Sequence, residues 1–350
     1  NNLDYEKIPG DFFSALLKQN DGLNLKDTHM TSLTVNKKHY HVRSLYHYKF
    51  EKIPADILGR AYETYLASER KKLGIYYTPH EMAEFVSNQS ISKIFDEHIL
   101  ELKTEMDKKD WDAEKLNSLG DKIIDIKICD PSCGSGSFLI QAIRVVWKKY
   151  NELSKIITDK DTEITKNKGG MDAHMSKQNE ILRTYFTRIL NIDDKQQRIG
   201  SIILRHIFGN DKDPKAINTA KLNIWLECLR LDPNTYKIDS LEGKRHVLPN
   251  LELNLNSGDS LVDLSVNDIE EIMDDEKRGT LESMSNLKNS YTDFFENTNN
   301  MHELITIRNS FTSFFVDPLF ESKFKKDHGA RILQFITPTY WQIKYFSAFM

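Results

Sequence analysis

The apolar positions along the chain fall into strand-like runs and stretches of helical spacing that follow one another in a repeated order. An apolar run ends at Asp130, a glycine-rich loop follows, and apolar residues then recur at helical spacing as far as Tyr150. The order of strand, polar turn and helix recurs around Asp211, and a third strand-like run ends near Asp259. This order predicts an α/β fold, a doubly wound and mostly parallel sheet with helices on both faces.

Polar sequence of helical period precedes this pattern and interrupts it twice. Residues 1–70 are predicted to form a mainly helical N-terminal region, and residues 71–350 the domain that contains the sheet. Residues 151–205 and about 264–330 are predicted to be helical insertions into that domain, because their apolar residues recur at helical spacing among many charges.

Three local expectations complete this outline. Residues 39–50 alternate between polar and apolar types, which predicts a short strand or an extended segment. A helix is predicted to begin directly after Pro79, because proline is favoured near the start of a helix. Residues 158–172 are polar and contain two adjacent glycines, so this stretch is expected to be flexible.

The composition is ordinary for a protein with a folded apolar core. Hydrophobic residues make up 39% and charged residues 29% of the 350 positions, and no apolar run reaches the length of a membrane span. The net charge of −4 gives no indication of nucleic-acid binding, so DNA contact would require a local basic face or a separate domain. Three cysteines are too few for a disulfide framework and are typical of a reducing cytoplasm; Cys129 is expected to be buried in its strand.

The acidic residues at the strand ends indicate what charge a bound cofactor carries. In an open parallel sheet an acid after the second strand, here Asp211, commonly accepts hydrogen bonds from ribose hydroxyls. A nicotinamide dinucleotide is the obvious alternative, but only Gly134 and Gly136 match its glycine fingerprint, and Leu139 occupies the third position. A carboxylate at Asp130 would repel a pyrophosphate and attract an ammonium or a sulfonium, and S-adenosylmethionine carries both of these cations.

Five segments together resemble the adenine-N6 DNA methyltransferases of restriction-modification systems. They follow the order of that family and cover the chain from about residue 40 onward: LGRAYETYL (58–66), GIYYTPHEMAEFV (74–86), DPSCGSGSFL (130–139), FGNDKDPKAINTAKLNIWL (208–226) and NSGDSL (256–261). The likeness is greatest to the fused type IIG enzymes, in which a nuclease and a methylase share one polypeptide. The resemblance implies S-adenosylmethionine as cofactor and direct methyl transfer to adenine in a specific DNA sequence.

The resemblance also implies which residues bind the cofactor, in four segments. They are Tyr77, Thr78 and Pro79; Asp130, Pro131, Cys133, Gly134 and Gly136; Asp211 and Lys212; and Asp259, Ser260 and Leu261. The first segment corresponds to the part of the family that closes over the methionine end, and the second to the loop beneath it. The acid of the third segment corresponds to the ligand of the ribose hydroxyls. The lysine stands where an apolar residue often covers the adenine ring, and its aliphatic stem can do the same. The acid of the fourth segment corresponds to the acceptor for the adenine amino group.

The catalytic tetrapeptide of the family, Asn or Asp followed by Pro, Pro and an aromatic residue, is missing from this sequence. There is no Asn-Pro pair. The most similar stretch is DPLF at residues 317–320, and its proline is interpreted as lying at a helix boundary. The resemblance therefore implies a fragment that ends before its catalytic motif, contains no catalytic residue and is inactive by itself. Double-stranded DNA would be bound mostly by parts outside this chain, and Mg²⁺ would serve only a nuclease domain outside it.

Two other functions remain open from the sequence. The missing tetrapeptide is consistent with a catalytically silent cofactor-binding or structural module. A protein glutamine methyltransferase would share the same tetrapeptide, although the long N-terminal region and the two insertions disfavour it.

Metal sites are disfavoured by the positions of the candidate ligands. Asp96, Glu101 and Lys103 resemble a nuclease pattern but fall on one predicted helix, where a solvated face is the better interpretation. Three histidines between residues 39 and 47 have no nearby cysteine or paired carboxylate to complete a zinc site.

Overall fold

The computed structural model describes residues 31–35, 38–42, 78–108, 112–166, 195–231, 248–293, 298–328 and 338–340. The chain divides into two compact units, Asn1–Tyr77 and Thr78–Met350. In the first unit the described residues form an antiparallel pair of strands, β1 (Thr31–Val35) and β2 (Lys38–Val42). Strand β2 overlaps the segment that alternation predicts to be extended, and the helices predicted in residues 1–70 lie outside the described residues.

The second unit is built mainly of helices. Those among its described residues are α1 (His80–Met106), α2 (Ala113–Ile124), α3 (Ser137–Lys166), α4 (Lys195–His206), α5 (Pro214–Leu231), α6 (Val266–Ile272), α7 (Asp275–Asp293), α8 (Thr298–Phe311) and α9 (Asp317–His328). A five-residue π-helical segment, Thr312–Val316, joins α8 to α9.

Three short parallel strands form the sheet of this unit. They are β3 (Ile128–Asp130), β4 (Ile207–Asp211) and β5 (Leu255–Ser257), hydrogen-bonded in the order β3-β4-β5. Helices α3 and α4 lie between β3 and β4 in the sequence, and α5 lies between β4 and β5. Because the strands are parallel, their carboxyl ends meet at one edge of the sheet. The predicted α/β class and the parallel direction are confirmed at this level.

Helix α1 begins where the sequence predicts it, directly after Pro79. The carbonyl of Pro79 accepts hydrogen bonds from the backbone N–H groups of Met82 and Ala83, both at 3.0 Å. The buried side chains of α1 recur at helical spacing because one face of the helix packs against α3. Phe95 and Leu102 on this face are fully buried in the apolar core that α1 to α5 share with the sheet.

One buried amide allows α4 to pass directly into β4 without a loop. The last carbonyls of a helix have no partners within it, so they must find donors elsewhere. The side-chain Nδ2 of Asn254 lies 3.0 Å from the carbonyl oxygen of Leu204 and 2.8 Å from that of Ile207. Asn254 is completely buried and precedes β5, so it fixes the end of α4 against the third strand.

Helices α6 to α9 enclose a second apolar cluster. Met284, Leu304 and Val316 are fully buried in it. A capping box starts α6, in which Ser265 and Asp268 satisfy each other's backbone N–H groups. These helices lie within residues 264–330, for which the sequence predicts helical structure.

The π-helical segment accommodates a proline. Pro318 is the second residue of α9, and it has no N–H to donate and would crowd the carbonyl of the preceding turn. The N–H of Asp317 donates to the carbonyl of Thr312, five residues back, so the backbone widens just before the proline. The pair Asp317–Pro318 therefore lies at the start of a helix, as its interpretation as a boundary proline predicts.

Two local predictions are wrong. Residues 158–166 of the stretch predicted to be flexible belong to α3, which continues without a break to Lys166; residues 167–172 lie outside the described residues. Cys129 is exposed rather than buried, because in a strand of only three residues it faces away from the core. None of the helices in the described part of the chain combines the length and the apolar character that a membrane span requires.

A buried histidine joins three parts of the core. The Nε2 of His206 accepts a hydrogen bond from the hydroxyl of Tyr150 at 2.7 Å, and its Nδ1 donates to the carbonyl of Ile126, also at 2.7 Å. In the neutral imidazole both ring nitrogens are satisfied, one as donor and one as acceptor, and burial disfavours the charged form. Burial lowers the pKa of His206 to about 3 and raises the pKa of Tyr150 to about 12.

This histidine makes the stability of the second unit depend on pH. Between about pH 6.5 and pH 3 the unfolded chain binds a proton at this position that the folded chain does not, so stability falls as the pH falls through that window. We expect His206→Gln to remove this dependence, lowering the slope of unfolding free energy against pH by up to about 1.4 kcal/mol per pH unit. Urea unfolding followed by tryptophan fluorescence between pH 7 and pH 4 measures both slopes; equal slopes would contradict this role.

Candidate functional site

The three strand ends bring the predicted cofactor-binding segments together. Asp130 is the last residue of β3, Asp211 is the last residue of β4, and Asp259 follows β5 by two residues. In the register of the sheet, Asp130 lies opposite Gly209, and Asp211 lies opposite Ser257. The acids that the sequence places after three strands therefore lie along one edge of the sheet.

The glycine loop between β3 and α3 has a backbone that favours glycine at two positions. Gly134 and Gly136 have φ angles of 54° and 89°, in the left-handed region that other residues rarely adopt. A Cβ on Gly134 would meet no atom within 4 Å, whereas one on Gly136 would lie 3.2 Å from the Cβ of Ala220 in α5. Gly134 therefore leaves the outer face of the loop open, and Gly136 allows α5 to pack closely beneath it.

Asp211 ties this loop to the end of β4. Its Oδ2 accepts a hydrogen bond from the N–H of Gly134 at 2.8 Å, and its Oδ1 accepts one from the N–H of Asp213 at 2.9 Å. The N–H of Cys133 donates to the carbonyl of Asn210 at 2.9 Å beside it. A carboxylate has about four acceptor positions, so Asp211 retains capacity for a further donor such as a ribose hydroxyl.

A buried asparagine connects the loop after β5 to this assembly. The Nδ2 of Asn210 lies 2.8 Å from the carbonyl of Gly258, 2.7 Å from the Oγ of Ser260 and 3.2 Å from the Oγ1 of Thr339. The Ser260 hydroxyl in turn donates to the carbonyl of Pro131. Through this chain of hydrogen bonds β4 contacts the segment after β5, which in turn contacts the segment after β3.

Sequence reasoning missed Asn210, although a signal was present. Asn210 is completely buried and lies between two motif residues at a position that an apolar side chain would otherwise occupy in a strand. A buried amide requires partners, so a polar residue inside a predicted strand indicates a network. Asn223 was missed in the same way; its Nδ2 donates to the carbonyl of Ser135 at 2.9 Å and holds the loop from α5.

Lys212 and Asp259 form an ion pair at the outer end of the site. The Nζ of Lys212 lies 3.0 Å from the Oδ2 of Asp259, and the N–H of Leu261 donates to the Oδ1 of Asp259 at 3.2 Å. The hydrogen bond from Lys212 lowers the pKa of Asp259. Leu261 is 95% exposed, so an apolar side chain stands in solvent beside this carboxylate.

Asp130 has the opposite electrostatic environment. Burial raises the pKa of its carboxyl, and the charge of Asp211 raises it further, against the hydrogen bond from the N–H of Ser132. A cation placed between these two acids would favour their ionised forms and so lower the pKa of Asp130.

Cys133 provides packing rather than reactivity. Its side chain is buried, and burial raises the pKa of its thiol well above the usual range. Because the thiolate is the nucleophilic form, this cysteine is unsuited to attack a substrate.

The remaining predicted residues precede α1. Thr78 and Pro79 lie directly before this helix, and Tyr77 lies outside the described residues. Among the described residues, no hydrogen bond joins Thr78 or Pro79 to the three strand ends, and the carbonyl of Pro79 accepts instead from the first turn of α1.

The acidic candidates on α1 belong to helix surfaces. Asp96 pairs with Lys149 at 2.7 Å, and Glu101 pairs with Lys122 at 3.3 Å. Their interpretation as residues of a helix face is confirmed by the helix itself.

The residues at this edge suit a cofactor that carries both a cation and a nucleoside. The open face above Gly134 provides space, and the paired acids at Asp130 and Asp211 attract positive charge. Asp211 and Asp259 provide acceptors for hydroxyl and amino donors, and Leu261 provides an apolar surface. S-adenosylmethionine combines these features, whereas the pyrophosphate of a dinucleotide would meet the acids without a compensating cation at the loop.

Comparisons with known proteins agree with this chemistry. The sequence model of the family described as MmeI, DNA-methyltransferase domain, matches residues 104–262, a span that contains all three strand ends. A protein of Methanocaldococcus jannaschii, named provisionally as a type II restriction enzyme and methyltransferase, is 28% identical over 233 residues. That alignment covers 59% of this chain, and the chain spans 16% of the relative's length. No solved structure matches the chain significantly.

These findings confirm the predicted resemblance to a DNA methyltransferase of a restriction-modification system. The chain is similar to the DNA-methyltransferase portion of a restriction-modification enzyme, both in the family that matches and in the name of the relative. The matched residues include the glycine loop and the acids after β4 and β5, so the similarity falls on the site itself.

The close packing around Gly209, beneath the glycine loop, predicts that one added methyl group there lowers stability. A Cβ on Gly209 would lie 2.7 Å from Leu139, 2.9 Å from Leu255 and 3.1 Å from the sulfur of Cys133. We expect Gly209→Ala to lower the free energy of unfolding by about 1–3 kcal/mol, because the core must shift to accept it.

Gly279 in α7 provides a matched control, since a Cβ there would meet no atom within 4 Å. Gly279→Ala should raise stability by up to about 1 kcal/mol through helix propensity. Urea unfolding of both variants measures the difference, and a Gly209→Ala variant as stable as the wild type would contradict the packing.

Proposed function

We propose that the edge formed by the three strand ends binds S-adenosylmethionine, and that the chain is the cofactor-binding portion of an adenine-N6 DNA methyltransferase. The observation that carries this proposal is the bridge from Asp211 to the N–H of Gly134, which joins the ribose-binding acid to the loop beneath the cofactor. The match to a DNA-methyltransferase domain over the same residues supports it.

The acids of the site have roles that their surroundings support, whereas the role of the segment before α1 rests on the family resemblance. The acids Asp130 and Asp211 attract the sulfonium and ammonium, and Asp211 accepts from the ribose hydroxyls with its remaining lone pairs. Asp259 accepts from the adenine amino group, while Lys212 and Leu261 cover the ring with aliphatic surface. Thr78 and Pro79, with Tyr77 before them, close over the methionine end.

The fold that we propose for the complete domain is a doubly wound, mostly parallel sheet. The order β3-β4-β5 and the intervening helices support it. A parallel bridge between Asp259 and Pro338, beside which the N–H of Thr339 donates to the carbonyl of Val262 at 3.0 Å, is a further observation that supports it.

The reaction is methyl transfer to the N6 of adenine in DNA. When bound, S-adenosylmethionine supplies an electrophilic methyl group on its sulfonium. The residues of this chain hold and orient that group. The sequence contains no Asn-Pro pair whose side chain and carbonyl would accept hydrogen bonds from the adenine amino group. Positioning of the reactants is therefore the contribution we assign to this chain.

The parent enzyme that we propose is of type IIG, with a restriction nuclease in the same polypeptide. The name of the relative, a restriction enzyme and methyltransferase, supports this proposal. Double-stranded DNA would be bound mainly by other parts of that polypeptide, and Mg²⁺ would serve its nuclease.

A thermodynamic cycle tests the proposed contact of Asp211 with the ribose. Because Asp211 also holds the glycine loop, weaker binding in Asp211→Asn alone would not distinguish direct from structural effects. The test is calorimetric titration of the wild type and Asp211→Asn with S-adenosylhomocysteine and with its 2′-deoxy form. We expect loss of the hydroxyl to weaken binding about 10- to 100-fold in the wild type, because a hydrogen bond to a charged carboxylate is lost. The weakening should be much smaller in Asp211→Asn, because that variant has already lost the charged acceptor.

Equal weakening in both proteins would contradict the contact. If NAD binds and neither adenosyl ligand does, the cofactor of this site is a nicotinamide dinucleotide and the assignment of S-adenosylmethionine is wrong. Failure to bind any nucleoside ligand at millimolar concentration would favour the silent structural module.

A further inference from the structure

A cavity of about 230 Å³ lies between α5, β5 and α8, and we call it the α5–α8 cavity. Its lining comes from the first two turns of α5, from β5 and the nearby Glu252, and from Ile305, Arg308 and Asn309 of α8. Of the described residues predicted to bind the cofactor, none lines it. The cavity is smaller than the pockets that enclose whole drug-sized ligands, so it suits a single chemical group.

Two cationic side chains line the α5–α8 cavity. Arg308 is held in place, since its Nη1 donates to the carbonyl of Glu252 at 3.1 Å and lies 3.4 Å from the Oδ1 of Asn256. Lys221 on α5 is half-buried, and its Nζ has no hydrogen bond or ion pair in the described part of the chain. Burial lowers the pKa of Lys221, the charge of Glu252 opposes this shift, and the charge of Arg308 adds to it. A bound anion would favour the charged form of this lysine.

An unsatisfied buried amide belongs to the same lining. Asn256 is 8% exposed, and its Nδ2 is buried without a hydrogen-bond partner among the described residues. A buried N–H group that lacks an acceptor is costly, and folded proteins contain few of them. An acceptor supplied by a ligand would satisfy it.

The negative charge on the described lining is smaller than the positive charge. Glu252 is the carboxylate among these residues, and it is exposed. No ion pair joins it to Lys221 in the described structure. Asn218 and Asn309 add exposed neutral amides. Two cations therefore face one carboxylate on this lining.

The positions of the donors favour a phosphate group over a carboxylate. Lys221, Asn256 and Arg308 approach the cavity from three different elements, α5, β5 and α8. A carboxylate presents two oxygens in one plane, whereas a phosphate group presents more acceptor oxygens around a tetrahedral centre and so accepts from more directions. Arginine and lysine are also the side chains that most often bind phosphate in proteins.

We propose that the α5–α8 cavity binds a phosphate group, with Lys221 and Arg308 as its cationic ligands and Asn256 as a neutral donor. The site is separate from the proposed S-adenosylmethionine site, and neither assignment requires the other. Two sources carry this group: the backbone of double-stranded DNA, and a free phosphate ion or phosphorylated small molecule. With a net charge of −4, a DNA contact must come from a local basic feature, and two cations in one cavity are a feature of that kind.

Titration of the isotopically labelled chain with inorganic phosphate at constant ionic strength tests the site. We expect saturable shifts of the amide signals of Ser257 and Asn309, which line the cavity, and of the side-chain amide of Asn256. Lys221→Met should weaken phosphate binding about tenfold, because a hydrogen bond to a charged group is lost.

Lys215→Met is the matched control. Lys215 is an exposed lysine on the same helix that does not line the cavity, so its removal changes the net charge equally and should leave phosphate binding unchanged. Urea unfolding without phosphate checks that Lys221 has no structural role: Lys221→Met should be at least as stable as the wild type, because its burial is uncompensated. Phosphate should raise the unfolding midpoint more in the wild type than in Lys221→Met.

Titration with a short duplex DNA identifies the source of the phosphate group. If the source is the DNA backbone, the duplex displaces phosphate from the cavity. The slope of log affinity for the duplex against log salt should then be smaller by about one in Lys221→Met than in Lys215→Met. If phosphate binds and the duplex does not displace it, the ligand is a free phosphate ion or a phosphorylated small molecule.

Three results would overturn the proposal. They are the absence of saturable shifts at tens of millimolar phosphate, equal weakening of phosphate binding in Lys221→Met and Lys215→Met, and acetate binding as tight as that of phosphate. All of these measurements are made without S-adenosylmethionine, so their outcome leaves the cofactor assignment untouched, and failure of that assignment leaves this site in place.

Discussion

The candidate site depends on one hydrogen bond, from the N–H of Gly134 to the carboxylate of Asp211. The glycine loop leaves the sheet after β3, and this bond holds Gly134 against the end of the neighbouring strand, while Cys133 and Ser135 are held by separate bonds to β4 and α5. Asp211 stands at the end of the neighbouring strand because the parallel register places β4 beside β3. Through this bond the register of the sheet determines the position of the loop. It also means that the acid expected to hold a ribose is part of the structure that makes the site.

Asp130 and Asp259 lie at the same edge of the sheet in different electrostatic environments, which suit them to different parts of a ligand. Asp130 is half-buried near a second acid, which raises its pKa and makes the inner end of the site attract a cation. Asp259 is paired with Lys212, which lowers its pKa and keeps it ionised as an acceptor at the outer end. A ligand with positive charge at one end and amino and hydroxyl donors at the other is complementary to this arrangement.

The sequence predicts the parts of this structure that local patterns determine. Alternation and helical spacing identify the strands, the loop and the helices beside them, and the order of acids after strands identifies the edge. The start of α1 after Pro79 follows from helix-start preferences. These features depend on residues close together in the sequence, which is why they could be predicted.

The features that the sequence did not predict depend on partners far apart in the chain. Asn210 bonds to Thr339, Asn254 satisfies the end of α4, and Arg144 reaches both His80 and Glu227. No local pattern specifies such pairs. The flexibility expected at residues 158–166 was wrong for a related reason, since the propensity of a polar stretch gave no information about the helix that it continues.

Binding of S-adenosylmethionine at this edge of the sheet can be followed residue by residue in the amide spectrum of the isotopically labelled protein during titration with the cofactor. Saturable shifts are expected for the amide signals of Gly134 and Gly136, in the loop after β3, and of Leu261, in the loop after β5. Titration with NAD should leave these signals in place. Shifts that saturate elsewhere in the chain, or no shifts at millimolar cofactor, would contradict the assignment of this edge as the cofactor site.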